Sequence, residues 1–594
     1  MIILQKMQSG IPLKYSLLPL GATILQMEVS ELVHTLLGKR GITGAREVED
    51  FLNPDYDLHT HTPFLLEGME RAVVRVLAAI ATGERIAIYA DFDCDGIPGA
   101  AVLSDFFKKI GHENFEVYLP HRDREGYGFH KEAITQLSER GTSLIITVDV
   151  GTTAIESAKH AKKLGVDVII TDHHEVTGEI PEALAVLNPK LGAYPFRDLC
   201  GAAMAFKLAQ ATLIEGKRRE LPRFTAIPNG WEKWLLDLVA IATIADMVPL
   251  VGENRALVLF GLKVLRKTER PGLLALFNRL RMRAADLSED DVGFLIAPRI
   301  NAASRMDEPD LAFKLLTTQD QNEAEVLAAN LDRLNTRRKG IVAGVVRQAR
   351  KSVAQRFTQG ERVVVLGNPD WKPAILGLAA NSIMEERGGV VCLWGRDVNG
   401  NLKGSCRSDG SVSISELFAN SGEALQEYGG HAHSGGFSVS HENVHTLGDS
   451  LAQAALALTR VESQIGKVGY DPSRPEQAEA DALASLSEIS SVLFKDVSQL
   501  APFGKGNPKP VFQIRDVIVT DVKRFGRDKG HVELRLECRR TGTRVRAFDF
   551  FRSPEGFTHV PALGVEAKVL ATIERDSFRG GLVLRLVDVL SAKG

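Results

Sequence analysis

The stretch Arg85-Ile86-Ala87-Ile88-Tyr89-Ala90-Asp91-Phe92-Asp93-Cys94-Asp95-Gly96 runs from continuous apolar residues straight into three carboxylates at alternate positions. A short, uninterrupted apolar run is what a strand buried on both faces of a parallel sheet requires. The pattern recurs: Leu144-Ile145-Ile146-Thr147-Val148 leads into Asp149, and Val166-Asp167-Val168-Ile169-Ile170-Thr171 into Asp172-His173-His174. Helical segments such as Gly99 to Ile110 and Thr152 to Leu164 supply the crossovers that parallel strands need. The expected fold is α/β with a parallel sheet, and ligands of such sheets bind outside the carboxyl ends of the strands.

Together with Asp246 these residues make a set of hard oxygen donors plus one or two imidazoles, which suits a pair of divalent cations. Alternate residues of an extended segment point the same way, so Asp91, Asp93 and Asp95 are expected to face one metal site. Each piece alone has an ordinary reading, because an Asp after a strand commonly caps a turn or helix and adjacent histidines are commonly surface residues. Their ordered recurrence at strand ends points instead to a metal-dependent phosphoryl hydrolase. Two cations a few ångströms apart would clamp the attacking water and the leaving oxygen, and lower the water's pKa.

The chain's 594 residues are too many for one core, and 44% hydrophobic with 25% charged is ordinary for a globular protein. The N-terminus lacks a basic region followed by a long apolar run, and no 18-residue apolar stretch occurs, so neither secretion nor membrane spanning is expected. Five cysteines without a close Cys-x-x-Cys spacing argue against a zinc ribbon or a disulfide framework and fit a reducing cytoplasm. A net charge of −3 gives no global sign of nucleic-acid binding, so the case rests on local charge. Between Asp332 and Arg356 stand Arg333, Arg337, Arg338, Lys339, Arg347, Arg350, Lys351 and Arg356 on a pattern consistent with a long helix, either tracking a phosphate backbone or simply solvated. Gly340 argues against an unbroken one.

Farther along, Gly404-Ser405-Cys406-Arg407-Ser408 and the glycine-rich segment from Gly429 to Phe437 suggest a phosphate-binding wall. Glycines let backbone N–H groups approach a phosphate, and Arg407 offers a planar fork, although glycine pairs also mark tight turns. After the loop Gly469 to Pro475 the text becomes β-rich, with runs at Val511–Ile514, Val517–Val519, His531–Leu536, Arg544–Phe548, Ala567–Leu570 and Leu582–Leu586. Five or six such strands suit a small closed barrel. Arg524, Phe525, Arg539, Arg544, Arg546 and Phe548 would offer it charge and stacking surface for a nucleic acid, although half of these could equally be core or solvated.

Asp91-Phe92-Asp93-Cys94-Asp95-Gly96 and Asp172-His173-His174 resemble the motifs of the DHH phosphoesterase superfamily, and within it the chain is most similar to the RecJ-like single-strand exonucleases. The resemblance extends over nearly the whole chain, through Leu37-Gly38-Lys39-Arg40-Gly41-Ile42, Gly126-Tyr127-Gly128, Asn188-Pro189, Ile244-Ala245-Asp246, Pro298 to Ala303 and Pro502 to Pro508. It implies a parallel-sheet DHH catalytic domain, a long connecting helix, a smaller α/β DHH-associated domain and an OB-like β-barrel. The corresponding divisions are a helical lead-in at 1–60, then 61–320, 321–358, 359–465 and 466–594. It implies Asp91, Asp93, Asp149, His173 and Asp246 as ligands of two divalent cations, Mn²⁺ or Mg²⁺, with Asp149 bridging. His174 would touch the scissile phosphate, and Asp95 would either support a ligand or cap the following turn. Ser405, Arg407 and His431 would hold a phosphate, with Arg122, Arg299 and Arg305 contributing. The implied function is 5′ to 3′ hydrolysis of single-stranded DNA in repair and recombination, by a cytoplasmic monomer supplied by a single-strand-binding protein or helicase.

Some segments depart from the family's pattern. Ile97-Pro98-Gly99-Ala100 replaces a small hydroxylated stretch, Ser304 replaces a glycine, Trp371-Lys372-Pro373 stands where Trp-His is common, and Tyr89 sits where some members supply an extra His. The altered segments at 97–100 and 371–373 keep open a catalytically silent DNA-binding scaffold, and a DHH phosphodiesterase for short oligonucleotides or cyclic dinucleotides would share both catalytic halves without needing the barrel.

Overall fold

The computed structural model describes residues 29–176, 178–358, 360–462, 479–526, 530–550, 552–576 and 579–592. The loop Gly469 to Pro475 and the first residues of the lead-in lie outside them. The apolar runs form β1 (Arg85–Ala90), β3 (Thr142–Val148) and β4 (Asp167–Thr171), which join β2 (Phe115–Tyr118) and β5 (Ala185–Leu187) in one sheet. All four pairings are parallel, in the order β2-β1-β3-β4-β5. Crossovers leave β1 in opposite directions, so a crevice opens at the carboxyl ends of β1 and β3, the switch point where such sheets bind ligands. Asp91 and Asp149 are the residues that follow those two strands.

Helices cover both faces. Gly96–Lys109, Gly201–Arg218 and Leu236–Ala245 pack with β1 and β3 into the largest apolar core, and Lys131–Glu139 and Ile155–Lys163 close the other side. Gly99 lets two of these helices meet over β3, since a Cβ there would lie 2.5 Å from Val148 Cγ1 and 3.0 Å from Ala202 Cα. A buried triad of Arg270 with Asp105 and Asp237 ties the layer together at 2.5 and 2.7 Å.

The connecting helix runs from Gln321 to Arg356, 36 residues, started by the Asp320 side chain accepting from Glu323 N. The expected long helix passes through Gly340 unbroken, because apolar contacts of Leu331, Leu334, Val345, Val346 and Ala349 on either side outweigh one glycine's propensity cost of about 1 kcal/mol. Beyond it, β6 (Val363–Gly367), β7 (Val390–Arg396), β8 (Leu402–Ser408), β9 (Glu427–Gly430) and β10 (Ser434–Val439) form a mixed sheet of order β6-β7-β8-β10-β9. Cys392 and Cys406 are register partners on β7 and β8 and form a disulfide, whereas the spacing had suggested none. A cross-strand pair 14 residues apart leaves no short Cys motif to read.

The last sheet contains β11 (Ala482–Ala484), β12 (Phe512–Phe525), β13 (His531–Cys538), β14 (Arg544–Asp549), β15 (Glu566–Arg575) and β16 (Leu582–Ser591). Because β12 pairs with both β13 and β15, five strands close into a barrel. The expected strands at 511–514 and 517–519 are one strand, bent where Asp516 takes a left-handed φ of 57° and the register with β15 shifts.

The barrel is fastened to the catalytic sheet by the loop 500–508. Arg255 donates to Phe51 O, Leu500 O and Ala501 O, joining the N-terminal helices, the catalytic half and this loop. Asn507, fully buried, donates to Leu500 O and Pro502 O and accepts from Arg40 Nε at 2.9 Å. Among the described residues no helix is long and apolar enough to cross a membrane. Arg255→Ala strands three carbonyls without their charged donor and is expected to cost about 3 kcal/mol. Urea unfolding and limited proteolysis check this, and an unchanged midpoint with no faster cleavage near residue 501 would contradict it.

Candidate metal centre

Asp91, Phe92, Asp93, Arg122, Tyr127, Asp149, His174 and Asp246 line a cavity of about 270 Å³ at the switch point. Donor atoms of Asp91, Asp93 and Asp149 lie within 4.8 Å of one another, as do those of Asp149, His173 and His174, and those of Asp95, His173 and Asp246. All five expected ligands are thus in one place, with Asp149 shared between two of the groupings.

The backbone places them under constraint. Asp149 has a φ of 61°, a conformation unusual for a residue with a side chain, after its N–H has donated to Thr171 O at 2.9 Å. Gly201 makes room, because a Cβ there would stand 2.5 Å from Asp149 Cβ. The segment 91–95 is not extended, as the alternation had suggested. Asp93 accepts from Asp95 N at 2.8 Å and from Gly96 N, which turns the chain into the next helix. Asp95 faces the same cluster, with Oδ2 3.6 Å from His173 Nε2, but its oxygens are taken by the backbone: they accept from Gly201 N at 2.6 Å and Ala202 N at 2.7 Å, capping a helix more than 100 residues away rather than its own turn. Asn301, from the Pro298 to Ala303 motif, holds the same loop by accepting from Cys94 N at 3.0 Å.

Asp172 is also turned inward. It accepts from Thr152 N at 2.8 Å and His173 N at 2.8 Å, and lies 2.7 Å from His174 Nδ1. Burial opposes its charge, but the hydrogen bond and charge of His174 hold it well below the carboxylate range. In return His174, in spite of its burial, is raised to about 9 by Asp172. His173 is lowered to about 3 by burial and by the charge of His174, so it stays neutral and able to donate a lone pair. Asn188 steadies the pair by donating to His174 O at 2.9 Å.

The remaining carboxylates are in conflict with one another. Burial first, and then the charge of its neighbours, pushes Asp91 and Asp149 well above the usual range and Asp246 to about 8. Asp91 Oδ1 and Asp149 Oδ1 are buried without a hydrogen-bond partner, although His173 Nε2 stands 3.2 Å from the latter. Crowded acids with orphaned oxygens and a neutral imidazole are the donor set that divalent cations complete.

On the rim of the same cavity, Arg122 lies over the Phe92 ring at 4.7 Å, and Arg305 Nη1 reaches the second half to donate to Ala374 O at 2.7 Å while its Nε is buried without a partner. Arg407 packs over Gly377, and its Nη1 donates to Cys406 O. Its guanidinium is lowered by burial and then by the charge of Arg122, so these arginines face each other. Ser405 stands two residues before Arg407 on the same face of β8. His431 is exposed at the end of β9, lowered by burial and by the charges of His174 and Lys190. Arg299 is a correction: it is committed to Asp332 at 3.0 Å and to Leu295 O, bracing the connecting helix instead of facing the cleft.

The departures also fall differently than expected. Ile97 to Ala100 and Ser304 are buried, not exposed to a substrate. Tyr89 is fully buried and donates to Gly128 O at 2.8 Å, fixing the turn that carries Tyr127. Tyr127 went unassigned in the sequence, yet its hydroxyl stands 3.3 Å from His174 Nδ1, and only the quoted Gly126-Tyr127-Gly128 motif signalled it.

A DHH sheet, a second sheet across a cleft and a closed barrel define a DHH-type phosphoesterase architecture. The DHH family N-terminal domain matches residues 85–243, the DHHA1 domain 360–457 and the RecJ OB domain 480–587. The chain belongs to the RecJ family. It is 31% identical to the single-stranded-DNA-specific exonuclease RecJ of Escherichia coli over 82% of this chain and 84% of that protein. It is 35% identical to the Bacillus subtilis RecJ over 86% of this chain, but spans only 62% of that relative's length. The crystal structure of Thermus thermophilus RecJ in complex with Mn²⁺ superposes with a TM-score of 0.76 at 28% identity, over 96% of this chain and 77% of that one.

Asp172→Asn removes the charge that keeps His174 protonated, and is expected to return it from about 9 toward or below an ordinary histidine value. An NMR titration of the metal-free protein reads this directly, and an unmoved His174 would contradict the pairing.

Proposed function

We propose that the chain is an exodeoxyribonuclease that hydrolyses phosphodiester bonds of single-stranded DNA with two divalent cations, Mn²⁺ or Mg²⁺. The observation that carries the reading is the convergence of Asp91, Asp93, Asp149, His173 and Asp246, with two orphaned oxygens among them, at the switch point of the sheet. In a family whose named members are single-stranded-DNA-specific exonucleases, that chemistry is phosphodiester hydrolysis. The 5′ to 3′ polarity and the role in repair and recombination rest on the family resemblance.

When bound, the cations would supply a charge clamp and a water of lowered pKa. The chain's own groups then have distinct tasks. His174 keeps its proton because Asp172 occupies Nδ1, leaving Nε2–H to donate to a phosphate oxygen. Ser405, Arg407 and His431 form the opposing wall for a terminal or neighbouring phosphate, with Arg122 and Arg305 contributing from the catalytic half. Asp95 acts through the capped helix and Gly201, keeping Asp149 in its strained position. Since every one of these groups comes from one chain, a monomer suffices. A single-strand-binding protein or helicase would present the strand, and DNA as substrate sets the work in the cytoplasm. The divisions at 60, 320, 358 and 465 belong to the same reading.

The barrel's part is stacking more than charge. Arg524, Arg539, Arg544 and Arg546 are each paired, with Glu555, Glu566, Glu537 and Asp576. Phe525, His531, Phe548 and Phe550 instead form a ring cluster with centroids 5.0 to 5.9 Å apart, with Phe550 41% exposed. Stacked bases suit such a platform.

Two outcomes test this reading. Asp149→Ala is expected to lower release of 5′-labelled mononucleotide by about a thousandfold or more while single strands still bind. A wild-type rate at saturating Mn²⁺, or equal release from duplex or in EDTA, would overturn it. Phe550→Ala is expected to weaken binding of long strands by about 1–3 kcal/mol in a titration. Unchanged affinity would remove the barrel from the substrate path.

A further inference from the structure

Three contacts from the start of the helix Pro373–Arg387 reach arginines or their neighbours along the cleft. Lys372, its N-cap residue, places Nζ 2.7 Å from Asp123 Oδ2. Ala374 O accepts from Arg305 Nη1 at 2.7 Å. At Gly377 the missing Cβ leaves space for Arg407, whose Nη2 would otherwise be 2.6 Å away. One helix end thus touches the supports of Arg122, Arg305 and Arg407 together.

Asp123 matters because it follows Arg122, and because its side chain is only 9% exposed. A shielded pair is screened less by water and salt than a surface pair. The segment carrying Arg122 is already tied to its own half of the molecule: Glu125 accepts from His121 N and from Tyr118 OH, both at 2.6 Å, and His121 Nδ1 lies 3.3 Å from Asp307. Those ties hold the base of the segment. The Lys372–Asp123 pair holds its tip across the cleft, against the repulsion expected when Arg122, Arg305 and Arg407 share one space.

We propose that the Lys372–Asp123 ion pair is a positioning latch that sets Arg122 for the substrate phosphate, with Lys372 acting through Asp123 and not by touching the phosphate. The inference rests on the reading that Arg122 binds a substrate phosphate. Losing the latch therefore weakens substrate binding and leaves the chemical step in place.

The experiment measures kcat and KM for a 5′-phosphorylated single strand in Mn²⁺, with melting temperature as a control for folding, in Lys372→Met, Lys372→Arg, Asp123→Asn, Arg122→Ala and Lys372→Met/Arg122→Ala. Lys372→Met and Asp123→Asn are expected to raise KM about tenfold with kcat within about twofold, Lys372→Arg to restore it, and the double variant to add less than about twofold over Arg122→Ala. A raised KM in Arg122→Ala with none in Lys372→Met would overturn the latch alone. No rise in Arg122→Ala would overturn the phosphate reading on which it rests. Equal losses of kcat and melting temperature that Lys372→Arg fails to restore would make the pair merely structural and overturn the latch.

Discussion

Carboxylates brought together in a dry pocket repel one another, and that repulsion is the constraint on which the catalytic half is built. Asp91, Asp93, Asp149 and Asp246 converge where β1, β3 and the helix Leu236–Ala245 end, and burial with mutual charge pushes three of them above the carboxylate range. The fold holds this arrangement with parts that have no chemistry of their own. Gly201 cedes the volume that Asp149 occupies, Asp95 ties the metal loop to a helix N-terminus, and Asn301 and Asn188 fix the two loops from opposite sides. Asp172 is the exception that makes the site work, because its charge is matched inside the protein by His174.

Strand ends and the clustering of the carboxylates were legible because buried parallel strands read as unbroken apolar runs, and the carboxylates follow them directly. What escaped the sequence was set by distance along the chain. Asp95 is held by Gly201 and Ala202, 106 and 107 residues on, and Arg299 by a helix 33 residues away, so neither role leaves a local trace. The extended reading of 91–95 failed because a side chain, that of Asp93, captures two backbone donors and bends the segment. The basic residues of the barrel misled for a related reason: acidic partners such as Glu566, 27 residues from Arg539, and Asp576, 30 from Arg546, are brought in by the fold, and pairing consumes the charge that the sequence displays.

The second half of the chain gains its meaning from how it faces the first. The connecting helix is braced by Arg299 and Arg279 on Asp332, and by Arg350 on Glu386, so the two sheets are carried on one rigid element. The loop 502–508 adds the third module to the same rim. Its Lys505 O accepts from Leu250 N at 2.7 Å, four residues past Asp246, and the Lys505 charge acts on both Asp246 and His431. Asp246, His431 and the loop that leads into the barrel are therefore neighbours around one crevice.

Asp91, Asp93, Asp149, His173 and Asp246 would together hold a pair of divalent cations in this crevice, with Asp149 common to two of the donor groupings. The most direct measurement is a titration of the metal-free protein with Mn²⁺, following free ion by its electron paramagnetic resonance signal. The account predicts that wild-type protein takes up two ions per chain with a spin-coupled signal at saturation, and that Asp149→Asn retains at most one without coupling. A single uncoupled ion in the wild type, or two coupled ions in Asp149→Asn, would contradict it.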